Sequence, residues 1–110
     1  MRTVRSQILF FQAMSDPTRQ KILSLLEKVD KMCVNDIVRK TRVSQPTISK
    51  HLATLKNAGL VAGRREGQQV FYSLNARNMR SCCTKYFSKF SCCSDLFSSS
   101  DSTKGKVDSG

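Results

Sequence analysis

The chain is 110 residues long and carries 19 Lys and Arg against 8 Asp and Glu, a formal net charge of +11. That length suits one small domain. No apolar run reaches the roughly 20 residues of a membrane-spanning helix, and a single His with sparse carboxylates and no phosphate-binding loop excludes an acid–base enzyme. The charge is uneven: residues 98–110 hold two Lys and two Asp and sum to zero, while Arg39 to Arg65 holds seven Lys or Arg and no Asp or Glu. A block of one sign in a small domain is the footprint of a polyanion such as DNA. A basic helix lying on a membrane needs a broad apolar face, and this block has only a narrow stripe.

In chain order, the opening MRTVRSQILFFQAMSDP combines basic residues with a short apolar patch. The patch, Ile8–Phe11, is too short for a secretion signal and runs into a helical pattern, so no export signal is expected. Residues 4 to 14 are expected to form a helix with Ile8, Phe11 and Val4 on one side. Asp16-Pro17 is a cap followed by proline at the first helical position. It opens a second helix to about Lys28 with Ile22, Leu25 and Leu26 inward. Lys31–Val34 reads as a brief strand, and Asn35 as the cap of a short helix, Asp36–Lys40, with Ile37 facing the core. Thr41–Val43 is then a turn. Ser44 can cap the next helix and Pro46 falls where a missing N–H does no harm. Ile48, Leu52 and Leu55 make one apolar stripe of period 3.6, and Gly59 ends the helix as a left-handed cap. Two β-prone runs follow, Leu60–Ala62 and Val70–Leu74, joined by a basic tip bracketed by Gly63 and Gly67. Asn75 caps a last helix, roughly Ala76 to Phe90, with Met79, Cys82, Cys83, Tyr86, Phe87 and Phe90 as its apolar positions. The polar run beyond Phe97 is too poor in apolar residues to build a core. The expected division is therefore a folded unit, 1–93, and a disordered tail, 94–110.

This is a mainly α fold with a small β-hairpin: a winged helix-turn-helix, whose second helix reads a major groove while the basic hairpin lies along phosphates. With Ile48, Leu52 and Leu55 buried, Thr47, Lys50, Thr54 and Asn57 point away, and Gln45 and Ser49 sit on the shoulders near the end that enters the groove. Gln pairs with adenine edges, Ser and Thr with several bases, and Lys with guanine or phosphate. His51 lies at the edge of the buried face and reads as a partly packed neighbour. Arg64, Arg65 and Gln68 at the wing are phosphate or minor-groove candidates; the bland alternative is a solvated hairpin tip. Phe10, Phe11, Tyr86, Phe87 and Phe90 are five of the eight aromatics. The economical use of these terminal helices is to pack on each other and on a second copy, a homodimer through the first and last helices. Such a dimer places two reading helices about one DNA turn apart.

Five cysteines, Cys33, Cys82-Cys83 and Cys92-Cys93, are an odd number in adjacent pairs and suit a secreted disulfide framework poorly. Reduced thiols in a cytoplasmic protein are the expectation, with soft-ion or redox chemistry at the paired ones.

Over residues 6 to 92 the chain resembles the ArsR/SmtB family of bacterial winged-helix repressors. The motifs that carry the likeness are SDPTRQKILSLL, CVNDIV, SQPTISKHLATLKNAGLV and RREGQQVFYSL. The resemblance implies a homodimer on the first and last helices, binding of double-stranded operator DNA through the fourth helix and wing, and release when a ligand binds. The family's Cys-Val-Cys-Asp-Leu-Cys arsenite pattern falls on Cys33-Val34-Asn35-Asp36-Ile37-Val38. Only the first thiol is kept, so that site is expected to be absent and Cys33 to be a small buried hydrophobe. A zinc site of the family's last-helix type needs His and carboxylate pairs, which this helix lacks. Some arsenic sensors of this kind carry a vicinal cysteine pair after the last helix with a third thiol nearby, and Cys92-Cys93 resembles it. As(III) or Sb(III) held by Cys92 and Cys93, with Cys82 or Cys83 as further ligands, is the effector this implies. Soft thiolate sites also suit Cd, Pb, Hg or Cu(I), and a thiol-redox or persulfide switch of the same fold is the alternative. A metal-buffering module of another class would not need the acid-free basic block. On one straight helix the two pairs would stand about 15 Å apart, so one ion needs a chain reversal or a thiol from a second subunit.

Overall fold

The computed structural model describes residues 2–98. Six α-helices and three strands follow in the order α1 (Arg2–Met14), α2 (Pro17–Glu27), β1 (Met32–Cys33), α3 (Val34–Thr41), α4 (Gln45–Asn57), β2 (Val61–Glu66), β3 (Gln69–Leu74), α5 (Ala76–Phe87) and α6 (Ser94–Ser98). A 3₁₀ turn over Ser91–Cys93 precedes α6. The helix-turn-helix and hairpin are where the apolar periodicity places them.

Several boundaries and faces differ from expectation for local reasons. On α1 the buried residues are Gln7, Phe10 and Ala13, and Ile8 is 51% exposed. Once Phe10 takes the core position, Ile8, two residues earlier and about 200° round the helix, must point away. Phe11 is half-buried, and the Val4 side chain lies outside the described residues. On α2, Ile22, Leu23 and Leu26 are buried, with Leu25 only packed against the core from its edge. Asp16 caps α2 by accepting a hydrogen bond from the Arg19 N–H at 3.0 Å, and that bond holds its carboxyl below the usual carboxylate range. Asn35 is not the cap of α3. Cys33 is, with no side-chain bond, because β1 stays paired up to Cys33 and the chain passes from strand straight into helix.

Ser44 is the N-cap of α4 but makes no capping bond to the backbone. Its hydroxyl donates instead to Thr47 Oγ1 at 3.1 Å, and Pro46 removes one of the N–H groups that a cap would satisfy. At the other end Gly59 has φ +77°. Its N–H donates to the Lys56 carbonyl and the Leu60 N–H to the Leu55 carbonyl, both at 2.9 Å. This is the Schellman pattern, with the fully buried Leu55 and Leu60 as its apolar pair.

The hairpin is longer than its apolar runs, pairing from Val61↔Leu74 out to Glu66↔Gln69. Gly67, φ +68°, takes the first place of a two-residue turn, where positive φ suits the twist of the strands. β1 adds a third strand beside β3 through Met32↔Tyr72 and Cys33↔Phe71, giving the order β1-β3-β2.

The core gathers Phe10, Ile22, Leu26, Ile37, Ile48, Leu52, Leu55, Leu60 and Cys82, so α1 and α5 close over a unit built by α2–α4 and the sheet. Phe11 joins the terminal helices, its ring meeting Tyr86 at 4.7 Å and Phe87 at 6.2 Å, both edge-on. α5 stops at Phe87 and not at Phe90. The Ser88 hydroxyl bonds the Lys85 carbonyl at 3.3 Å, and the chain turns through Lys89 and Phe90 by short-range bonds to Tyr86 and Phe87. The expected tail from 94 onward opens with α6, and residues 99–110 lie outside the described residues.

Candidate nucleic-acid interface and thiol pair

α3 ends on Arg42, a non-glycine residue in the left-handed region at φ 61°. Its N–H bonds the Val38 carbonyl at 2.8 Å. The Thr41 hydroxyl donates to the Ile37 carbonyl at 2.8 Å and accepts from the Val43 N–H at 3.3 Å. These bonds hold the turn between α3 and α4. Ile48, Leu52 and Leu55 face inward, so the remaining faces of α4 are set by the helical period alone. Gln45, Thr47, Ser49, Lys50, Thr54 and Asn57 are all exposed. His51 is half-buried on the shoulder, as its position predicts.

At the wing, Arg64, Arg65 and Gln68 are exposed. The Tyr72 ring lies across Gly63, where a Cβ would come within 2.9 Å of it. The wing tip carries one acid, Glu66, and its carboxylate accepts two hydrogen bonds from Lys31 Nζ, each 2.7 Å. Lys31 also stands 5.0 Å above the Phe71 ring. The pair ties the hairpin to the start of β1 and offsets the tip's negative charge, although an exposed pair adds only about 0–1 kcal/mol of stability. Sequence reasoning missed this pairing, since 35 residues separate its partners. A cleft of ≈200 Å³ lies between Cys33, Val34, Asn35, Gln45, Gln68, Gln69 and Val70. It brings the first residue of α4 and the turn of the wing, two of the expected contact regions, to one side of the molecule.

The four C-terminal thiols divide. Cys82 is buried and Cys83 half-buried on α5, where burial, aided by Cys82, pushes the Cys83 thiol up. Cys92 is exposed and Cys93 half-buried in the 3₁₀ turn. Their sulfurs are 3.8 Å apart, and the hydrogen bond with Cys92 raises the Cys93 thiol. Two thiolates at about 2.3 Å from a tetrahedral ion are themselves about 3.8 Å apart, so the pair fits two-point binding of a soft ion. Among the described residues no three His, Cys, Asp or Glu side chains converge on a common point. The expected set of Cys82, Cys83, Cys92 and Cys93 is therefore not assembled within one chain. Cys33 is buried at 8% exposure, as expected of a small hydrophobe.

A helix-turn-helix followed by a two-stranded wing, with a basic outer face, defines a winged-helix DNA-binding protein. Residues 16–62 match the family described as "Bacterial regulatory protein, arsR family". The chain is 49% identical over 65 residues to the transcriptional repressor SdpR of Bacillus subtilis, covering 59% of this chain and 71% of that one. It is 36% identical over 75 residues to the arsenic resistance transcriptional regulator ArsR1 of Pseudomonas putida, covering 68% of this chain but only 59% of that protein. The homodimeric winged helix-turn-helix domain of Mb0332 from Mycobacterium bovis superposes with a TM-score of 0.65 at 23% identity, covering 80% of this chain and 87% of that one. The chain belongs to the ArsR/SmtB family of winged-helix transcriptional repressors. No described helix is long and apolar enough to cross a membrane.

Proposed function

We propose that this repressor acts in the cytoplasm as a homodimer that binds operator DNA through α4 and the wing, and leaves it when As(III) or Sb(III) binds the C-terminal thiols. The observation that carries the DNA part is the outer face of α4, which is exposed and free of acids and whose first residue, Gln45, shares a cleft with Gln68 of the wing. Thr47, Lys50, Ser49, Thr54 and Gln45 are its base and phosphate contacts. Lys50→Ala and Thr47→Ala are expected to weaken operator binding by about 1–3 kcal/mol each. Neither side chain packs on the core, so thermal unfolding should be unchanged. Parent-like binding by both variants in a gel-shift titration would remove α4 as the reader.

The dimer rests on the aromatic layer between α1 and α5 and on the apolar surface it leaves outside: Ile8 is 51% and Phe90 43% exposed. A domain this small gains from burying such surface against a copy of itself. Sedimentation at micromolar concentration should give a dimer, and Ile8→Asp should shift it toward monomer. A parent chain that sediments as a monomer sinks the idea.

The effector part is supported by the exposed Cys92–Cys93 pair at 3.8 Å and by the likeness to arsenic-resistance regulators. With no third thiol converging in one chain, a three-coordinate ion draws its remaining ligand from Cys82 or Cys83 after a shift of the 3₁₀ turn, or from the other subunit. Thiol oxidation is the competing effector at the same pair. Arsenite titrated into the reduced protein separates the two, because only metalloid binding produces sulfur-to-arsenic absorbance.

A further inference from the structure

We infer that Arg19 is a positioning residue for DNA reading: its guanidinium, through His51, sets the rotational setting of α4 against α1 and α2. The inference rests on α4 being the reading helix. Arg19 stands in the first turn of α2, and its donors fan out to two other elements. Nε donates to the Ala13 carbonyl at 2.8 Å and Nη2 to the Gln12 carbonyl at 3.1 Å, both in the last turn of α1. The Ala13 carbonyl has no helical partner, because Pro17 lacks an N–H, while the Gln12 carbonyl also accepts from the Ser15 N–H and hydroxyl. Nη1 is 3.2 Å from Nδ1 of His51 on α4. Arginine has no acceptor and stays protonated, so Nδ1 is the acceptor and the neutral ring carries its proton on Nε2. Nε2 faces Asp16 Oδ2 at 3.8 Å, and the imidazole is only 17% exposed. Among the described residues, Arg19 and Asp16 are the charged groups that meet the ring. α1 offers backbone carbonyls to Arg19, and α3 and β2 bring no charged group to the ring within bonding distance.

The other contacts that hold α4 are apolar. Ile48, Leu52 and Leu55 fix its depth by burial, which is non-directional, and among the described residues the polar side-chain contacts from α4 to other helices are those of His51. A guanidinium fork is directional. Side-chain tips lie about 5–6 Å from a helix axis, so a roll of about 10° moves them about 1 Å, enough to spoil a base-edge hydrogen bond. Ser49 and Lys50 directly precede His51, so the ring that Arg19 grips sits beside two proposed contact residues.

The test uses the full chain and two probes: a duplex selected by the parent protein from a random-sequence pool, and an unrelated duplex. Arg19→Ala and His51→Leu are expected to bind the selected duplex about tenfold more weakly, and the unrelated one within about twofold of the parent, since phosphate contacts tolerate a roll that base contacts do not. His51→Asn places an amide oxygen near the position of Nδ1 and should bind as the parent does. His51 is the single histidine, so ring ¹⁵N shifts report it alone. In Arg19→Ala, with Asp16 still facing Nε2, the Nδ1 shift should move toward that of an acceptor nitrogen without a hydrogen bond. Equal losses on both duplexes, parent-like affinity in Arg19→Ala, or His51→Asn as poor as His51→Leu would each overturn the inference. Should Arg19→Ala fail to fold, the two His51 variants still decide. Lys50→Ala and Thr47→Ala are the controls: parent-like binding of the selected duplex by both removes the reading-helix assignment and this inference with it, whereas a loss in either with none in Arg19→Ala removes the inference alone.

Discussion

Cys92→Ser and Cys93→Ser, each alone, are expected to bind operator DNA as the parent does and to stay bound when arsenite or antimonite is added. Neither residue is buried and neither belongs to the core cluster, so their loss should leave the fold, and with it the reader, intact. Their 3.8 Å separation suits two bonds from one soft ion, and removing either thiol destroys that chelate. The pair follows α5, whose aromatics pack on α1, so an ion that draws Cys92 and Cys93 toward another thiol pulls on the layer between the terminal helices. Release follows only if the ion binds the DNA-free arrangement more tightly. Cys82→Ser and Cys83→Ser belong beside them, since one of these is the candidate third ligand, and Cys33→Ser should respond normally. The Cys83 and Cys93 thiols are pushed up and stay protonated at neutral pH. Each As–S bond takes a thiol proton away with an arsenite hydroxide as water, so release at fixed arsenite should change little through neutral pH, whereas release by Cd(II), which expels the protons into solution, should become more complete as pH rises. The measurement is operator release followed by fluorescence anisotropy. If Cys33→Ser loses the response while Cys92→Ser and Cys93→Ser keep it, the site lies on α3 and the C-terminal assignment is wrong.

Leu55→Ala is the substitution expected to cost most stability, about 3 kcal/mol, within the range of large-to-small changes at sites that cannot collapse. Leu55 is fully buried, as are Ile48, Leu52 and Leu60 in the same core cluster. It is also the apolar partner of Leu60 in the motif that ends α4, so the cavity opens where the reading helix hands over to the wing. Chemical denaturation at fixed protein concentration measures the loss; the concentration must be held because a dimer's stability depends on it. Operator affinity should fall with the folded fraction, unlike in Lys50→Ala, where affinity falls and stability does not. A denaturation midpoint for Leu55→Ala equal to the parent's would show that α4 is not seated as described.

What local chemistry controls was legible in the sequence. The α4 stripe of Ile48, Leu52 and Leu55, Pro46 in its first turn and the left-handed Gly59 depend on neighbours within one or two turns, and the structure has them as read. The Asp16 and Asn75 caps belong to the same group: each accepts from an N–H three residues on. The five proposed contacts on α4 were expected on the outer face because a helix with one buried stripe has little freedom in what it exposes, and Arg64, Arg65 and Gln68 were expected to be exposed because they flank the turn of a hairpin. Where two faces were similarly apolar, sequence could not choose. Ile8 and Phe10 are both candidates for the core side of α1, and only the fit against the rest of the core selects Phe10. The polar run Gly63-Arg64-Arg65-Glu66 carries no strand signal, because its strand is held by backbone pairing with β3 and by Lys31, not by a buried face. Partners far apart in the chain were decided by tertiary structure alone. Arg19 meets His51 across 32 residues and Lys31 meets Glu66 across 35, and no local pattern encodes either. The thiols follow the same division: adjacency in sequence sufficed to bring Cys92 to Cys93, while the reach from that pair to any third sulfur depends on how α5 ends and how the chain turns after it, which packing decides.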